Sequence, residues 1–356
     1  MITNDFTPRT TTHVRLGPAR RLMVALLIVA SAACTREPAA PAPSAATTAA
    51  PAATFSGGQV CAECHQKEAA LWKDSHHQRA MKPATQAVGN FQKAAVTYNG
   101  VTSTFFTRDQ TPMVRTDGPD GQLRDYPIAY TFGIAPLQQY LVAFPGGRYQ
   151  ALSLVWDTRP KAAGGQRWFH LYPGGKVDHR DVLHWTGAAQ NWNFMCADCH
   201  STNLQKRYDT ASDSFDTTWS EINVSCEACH GPASRHVEWT RRAKAAAGSG
   251  DALKGLVFSM KDTSGGHWAL PAGASIALRT APLSSRSEVE TCGRCHARAA
   301  RLWPTYEYGR PLGETHRVAL LEEGLYEADG QIRDEVYEYG SFLQSKMYQA
   351  GVTCSN

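Results

Sequence analysis

One five-residue word occurs four times in this chain and limits what the chain can fold into. It reads Cys61-Ala-Glu-Cys64-His65, Cys196-Ala-Asp-Cys199-His200, Cys226-Glu-Ala-Cys229-His230 and Cys292-Gly-Arg-Cys295-His296. Two cysteines three positions apart lie about one helical turn from each other, so both thiols can form thioether bonds to the vinyl groups of one porphyrin. The adjoining histidine is then held under the iron as its proximal ligand. C-x-x-C-H is the attachment signature of c-type haem, and four words predict four covalently attached haems. Zinc sites also use C-x-x-C pairs, but zinc does not require histidine at the fifth position of every word. A disulfide framework belongs to small chains with weak cores, and this chain has 356 residues. A thioredoxin-like motif occurs singly, beside a βαβ pattern.

The first 33 residues stand apart from the fold. Arg9, Arg15, Arg20 and Arg21 precede an apolar run from Leu22 to Ala33 that ends in small residues, the pattern of a secretory signal peptide. Cys34 follows directly, as in a lipobox, and residues 34–54 form an Ala/Pro-rich tether, so a lipid anchor on Cys34 is expected. Export to the periplasm agrees with the haem words. The net charge of +4 is mostly in the leader, and eight propionates would make the folded part acidic. No basic patch suggests nucleic acid. Another redox protein is the expected partner.

Residues 55–90 hold the first word and a helical stretch. Residues 91–178 contain no cysteine and alternate strand-like runs with the turn signals Asn99-Gly100, Asp117-Gly118, Asp120-Gly121 and Gly146-Gly147. They read as a β-rich insertion. Residues 179–356 carry the other three words, with Cys199 and Cys226 near enough in sequence to force two haems together. At the end, Gly351-Val-Thr-Cys354 repeats the approach to the third word, Asn223-Val-Ser-Cys226. Cys354 is therefore read as opening a fifth word, with its haem, in a chain cut short before the closing Cys-His.

Three stretches carry a family resemblance: Trp72-x-x-Ser75-x-His77-x-x-Ala80, the third word extended to Gly231-Pro232-x-Ser234-x-His236, and Tyr339-Gly-Ser-Phe342 with Met347 beyond it. They are similar to the cytochrome c-552/c-554 group of multihaem proteins. The chain resembles more closely the haem-bearing N-terminal part of bacterial proteins that continue into tetratricopeptide repeats, although no such repeat is visible here. The resemblance implies a mainly α multihaem fold organised around stacked haems, with an inserted antiparallel β subdomain. It also implies bis-histidine ligation, with His77 and His236 matching distal ligands and His76 the rival to His77. His184 and His316 are further candidates by position. His170, His179 and His267 read as structural.

Three functions compete. Irons with imidazole on both faces suit an electron carrier, and the supply of spare histidines favours this reading. An oxidoreductase acting on a small nitrogen or sulfur compound would keep one iron open, with no catalytic residue assignable from sequence. In the third, haem is structural and the chain a scaffold.

Overall fold

The computed structural model describes residues 52–243 and 250–356. The expected signal peptide, Cys34 and the tether through residue 51 lie outside the described residues. Two short helices come first, α1 (Gly58–Ala62) and α2 (Gln66–Trp72), with the first word across their junction. The chain then enters nine strands: β1 (Met81–Pro83), β2 (Ala94–Tyr98), β3 (Val101–Arg108), β4 (Thr111–Asp117), β5 (Leu123–Phe132), β6 (Leu137–Phe144), β7 (Arg148–Ala151), β8 (Leu154–Asp157) and β9 (Arg167–His170). They form one antiparallel sheet in the order β2-β3-β4-β5-β6-β8-β9, with β1 beside β5 and β7 beside β6.

This sheet overturns the expectation of a mainly α fold. About 22 % of the structure is helical, and the largest element is the nearly closed sheet. The reason is local. A haem word needs only about one helical turn, so four words can be carried on very little helix. The intervening sequence is built for strands, with β-branched and aromatic residues between tight turns. Asn99 and Gly100, both at positive φ (46° and 81°), turn β2 into β3 in the geometry that favours a twisted hairpin. The sheet curls until β9 meets β2, where the Tyr98 and His170 rings stack at 3.5 Å. Tyr98 also donates to the carbonyls of Tyr172 and Gly175, at 2.8 Å each. Inside lies an apolar core of Phe105, Val114, Ile128, Tyr140, Val142 and Trp168, with Phe105 stacked on Trp168 at 3.5 Å.

Beyond the sheet the elements are short. They are α3 (Trp192–Met195), α4 (Ala197–His200), the hairpin β10 (Tyr208–Asp209) and β11 (Ser214–Phe215), α5 (Cys226–His230) and α6 (Ser234–Ala243). The hairpin β12 (Trp268–Ala269) and β13 (Leu278–Arg279) follows, then α7 (Ser287–His296), the hairpin β14 (Ala299–Arg301) and β15 (His316–Val318), α8 (Glu338–Gln344) and α9 (Lys346–Gln349). A second core joins the sheet to the second word: Met81, Phe132, Leu141 and Ala151 pack on Trp192, Ala197 and Leu204. A third, smaller one gathers Val289, Ala297, Leu312 and Tyr339 around the fourth word. Among the described residues no helix is long and apolar enough to cross a membrane.

Candidate haem-binding site

The words meet in pairs that the sequence does not announce. The Cys61 and Cys226 thiols face the same cleft side by side, bringing words one and three together. The Cys199 thiol donates to the Cys295 carbonyl at 3.8 Å and the Cys295 thiol to that of Asp198 at 3.9 Å, joining words two and four. Words three and four touch through Arg294, whose guanidinium donates to the Ala228 carbonyl at 2.9 Å. In space the words therefore run one, three, four, two. The Cys354 thiol lies beside that of Cys292 in word four. Between words one and three lies an open cleft of about 200 Å³, lined by Cys61, His65, Trp72, His77, Cys226 and His230 among others.

Two pairs of histidines face each other. The rings of His65 and His236 have centroids 6.2 Å apart, and those of His77 and His296 are 6.1 Å apart. With imidazole–metal bonds of about 2 Å, two rings on opposite sides of one metal have centroids about 6 Å apart. The interplanar angles of 30° and 71° are compatible with this, because each ring can turn about the shared axis. Each pair joins a histidine of a word to one from a different segment.

Second-sphere bonds orient several of these rings. A metal-bound imidazole usually gives its other nitrogen to a carbonyl or carboxylate. His200 Nδ1 lies 3.0 Å from the Ala80 carbonyl, and His236 Nδ1 lies 2.7 Å from that of Lys254. His296 Nδ1 stands 3.5 Å from a Glu338 carboxylate oxygen. In His200 and His236 this leaves Nε2 for a metal. Paired thiols beside such an imidazole are the donor set that covalent haem requires, so the residues present fit the group.

The segment Trp72 to Ala80 is positioned at almost every residue of its motif. Trp72 Nε1 donates to the Val224 carbonyl at 2.9 Å, and Val224 N donates to the His77 carbonyl at 3.2 Å. Ser75 Oγ accepts from Gln78 N at 3.2 Å, closing the turn that presents His77. The Ala80 carbonyl receives His200. After the third word, Gly231 ends α5 at φ 75°, where a Cβ would meet Val257 and Tyr308 at 2.7 and 2.9 Å. Ser234 N and Oγ pair with the backbone of Thr54, at 3.0 and 2.9 Å. His236 then projects from the first turn of α6.

The other two distal candidates are placed differently. His184 is buried in the sheet, with Nε2 3.2 Å from Asp117 Oδ2 and Nδ1 2.8 Å from Thr186 Oγ1. Both ring nitrogens are engaged there, and leaving Asp117 without its buried partner would be costly. His184 and Asp117 line a separate small cavity of about 40 Å³ in the sheet. His316 is also buried, and its Nδ1 lies 2.9 Å from Thr315 Oγ1, which leaves Nε2 unengaged. Burial, reinforced by the Arg294 charge, pulls its imidazole down to about 4. Burial likewise lowers His200 and His230, so both favour the neutral form a metal needs. Among the described residues no second imidazole faces His200 or His230 as in the two pairs; the ring nearest His200 is Phe132, at 5.5 Å.

Three residues escaped sequence reasoning, though each lies inside a word. Glu227 accepts from Ser56 N, Gly57 N and Ala233 N at 2.7–3.0 Å, fastening the start of α1 to word three. Asp198 pairs with Lys206 and Arg301, both at 2.7 Å, fastening word two to β14. Arg294 is the third. The signal was the charge at the x positions of the words.

Four haem-attachment words with this donor chemistry define a multihaem c-type cytochrome. The family model described as cytochrome c554 and c-prime matches residues 60–108 and 176–231, which take in the first three words. Among solved structures the chain is similar to the undecahaem cytochrome from the S-layer of Carboxydothermus ferrireducens, at 17 % identity and a TM-score of 0.35. That alignment covers 70 % of this chain and 26 % of the other, so the chain spans about a quarter of that protein's length. A search of the curated proteins returns no match.

Proposed function

We propose that this chain is an exported electron-transfer protein that passes electrons between periplasmic redox partners through a series of closely spaced haems, mostly with two histidine ligands. The observation that carries this reading is the pair of facing imidazoles, His65 with His236 and His77 with His296, each at the spacing of two ligands on one metal. When bound, each haem supplies a one-electron ferric–ferrous couple. The chain's part is to attach and orient. Cys61 and Cys64, Cys196 and Cys199, Cys226 and Cys229, and Cys292 and Cys295 hold the four porphyrins, while His65, His200, His230 and His296 bind from one side. His77 and His236 would supply the second imidazole at words four and one. His316, beside Asp198 and Arg294, is the candidate for a third iron. His184 takes no part. The order one, three, four, two puts neighbours in contact and gives electrons a continuous route. Cys354 would add a haem next to word four. A leader with a lipidated Cys34 would keep the protein at the membrane surface.

A second reading, an oxidoreductase acting on a small nitrogen or sulfur compound, draws on one observation: among the described residues the ring facing His200 is that of Phe132. Low-temperature EPR of the haem-loaded full chain separates the two. Carrier function predicts low-spin ferric signals throughout. A substantial high-spin signal that changes on adding nitrite or hydroxylamine would reverse the assignment.

A further inference from the structure

Arg294 is a cation in an unusual place. It lies inside the fourth word, and its guanidinium is covered on two sides by tyrosine rings, 4.3 Å from the Tyr306 centroid and 4.9 Å from that of Tyr308. Its one hydrogen bond to backbone goes to Ala228, inside the third word. Its Nε is fully buried and has no acceptor. Among the described residues no carboxylate stands within ion-pairing distance of it, in contrast to Arg301, which pairs with Asp198. A cation whose Nε is buried without an acceptor is held there at a cost. Cation–π contacts recover part of that. The packing of the two tyrosines and the Ala228 carbonyl fixes a positive charge at this one place, and that position calls for an explanation.

The place supplies one. Words three and four are the middle of the series, and among the described residues Arg294 is the one side chain that bridges them by a hydrogen bond. We propose that Arg294 sets potentials: it is a fixed positive charge at the junction of words three and four that raises the reduction potentials of the two haems attached there. Reduction adds one electron and removes one positive charge from the iron site, so a nearby cation favours the reduced form. Arg294 acts through the field and not by touching a reacting atom. Electrons entering at either end of the series then settle at its centre, which makes the chain a reservoir as well as a wire. The inference rests on the haem reading above.

The test is a spectroelectrochemical titration of the haem-loaded full chain, with dithionite as electron donor and ferricyanide as acceptor, on wild type, R294Q and R294K. Haem content is measured first by the pyridine haemochromogen. A chain lacking haem at words three and four defeats the haem reading. A loaded chain tests this one alone. A neighbouring charge commonly shifts a protonation equilibrium tenfold or more. For R294Q we expect a tenfold loss in the reduction equilibrium of at least one haem, about 59 mV lower in midpoint, with low-spin spectra retained. R294K should stay near wild type. Unchanged midpoints in R294Q, or an equal drop in R294K, overturn the proposal. Wild type provides a check that needs no variant. A buried charge is little screened, so the highest midpoints should keep their separation from the rest between low and high salt. Their collapse at high salt would also overturn it.

Discussion

At the scale of single residues, much of the organisation rests on charged groups that bond to backbone or rings. The Glu227 carboxylate accepts from three backbone amides of two segments, Ser56 and Gly57 before α1 and Ala233 before α6. Glutamine there would turn an NH2 toward amide donors and orphan at least one of them. E227Q should cost about 2–4 kcal/mol by the usual worth of charged hydrogen bonds, read as a lower urea midpoint. The histidines separate by kind of readout. H77A or H236A should convert one haem each to high spin in EPR with a small change in stability. H184Q should leave every spin state alone and cost about 1–3 kcal/mol, because Asp117 loses a buried partner. A new high-spin signal in H184Q would show that the sheet histidine binds iron after all. The sequence made His77 and His236 legible through their motifs. It could not separate His184 from them, since a buried histidine bonded to aspartate and one awaiting iron carry the same letter.

At the scale of elements, turns and closures decide what is exposed. Gly231 ends α5 in the left-handed region with Val257 and Tyr308 against it. A Cβ there adds backbone strain and displaces Tyr308, one of the two rings on Arg294. G231A should lose about 2 kcal/mol or more and alter haem midpoints together with stability, which thermal unfolding and a redox titration would show. The seam of the sheet has its own signature. Burial pulls His170 from 6.5 down to about 4. Between those values the unfolded chain binds a proton that the native chain refuses, so the contribution of neutral His170 is complete above about 6.5 and is lost as pH falls toward 4. H170F, which keeps a ring for Tyr98 to stack on, should flatten the urea midpoint between pH 6.5 and 4. A curve parallel to wild type would count against this account. Three of the four turn signals in residues 91–178 fall wholly in connections between adjacent strands, and the fourth, Asp117-Gly118, ends β4 and opens the connection to β5. By contrast, the turn at Asp109 and Gln110 carries no glycine and was invisible, both residues being held at positive φ by the pairing of β3 with β4.

At the scale of the whole molecule, two halves are stabilised by different means. The sheet encloses its own aromatic core, whereas words two to four sit on helices as short as the four residues of α4, with a core of four buried side chains near word four. Helices of that length are not stable alone. A chain made without haem attachment should therefore keep protected amides in β3 to β6 while α4, α5 and α7 exchange quickly, as hydrogen exchange with mass spectrometry would resolve. Protection that is uniform across both halves would refute this division. The amino-acid sequence by itself determined the chemistry: C-x-x-C-H is a local requirement, met by neighbours along the chain, and it can be read wherever it stands. Class of fold was misjudged from the same letters, because motifs that need a single turn of helix say nothing about the long stretch between them. Only the tertiary structure decided which word meets which, that His77 faces word four and His236 word one, and that Arg294 lies between two words. Those are contacts between segments far apart in sequence, and their geometry comes from how the closed sheet and the short helices pack, which no local pattern records.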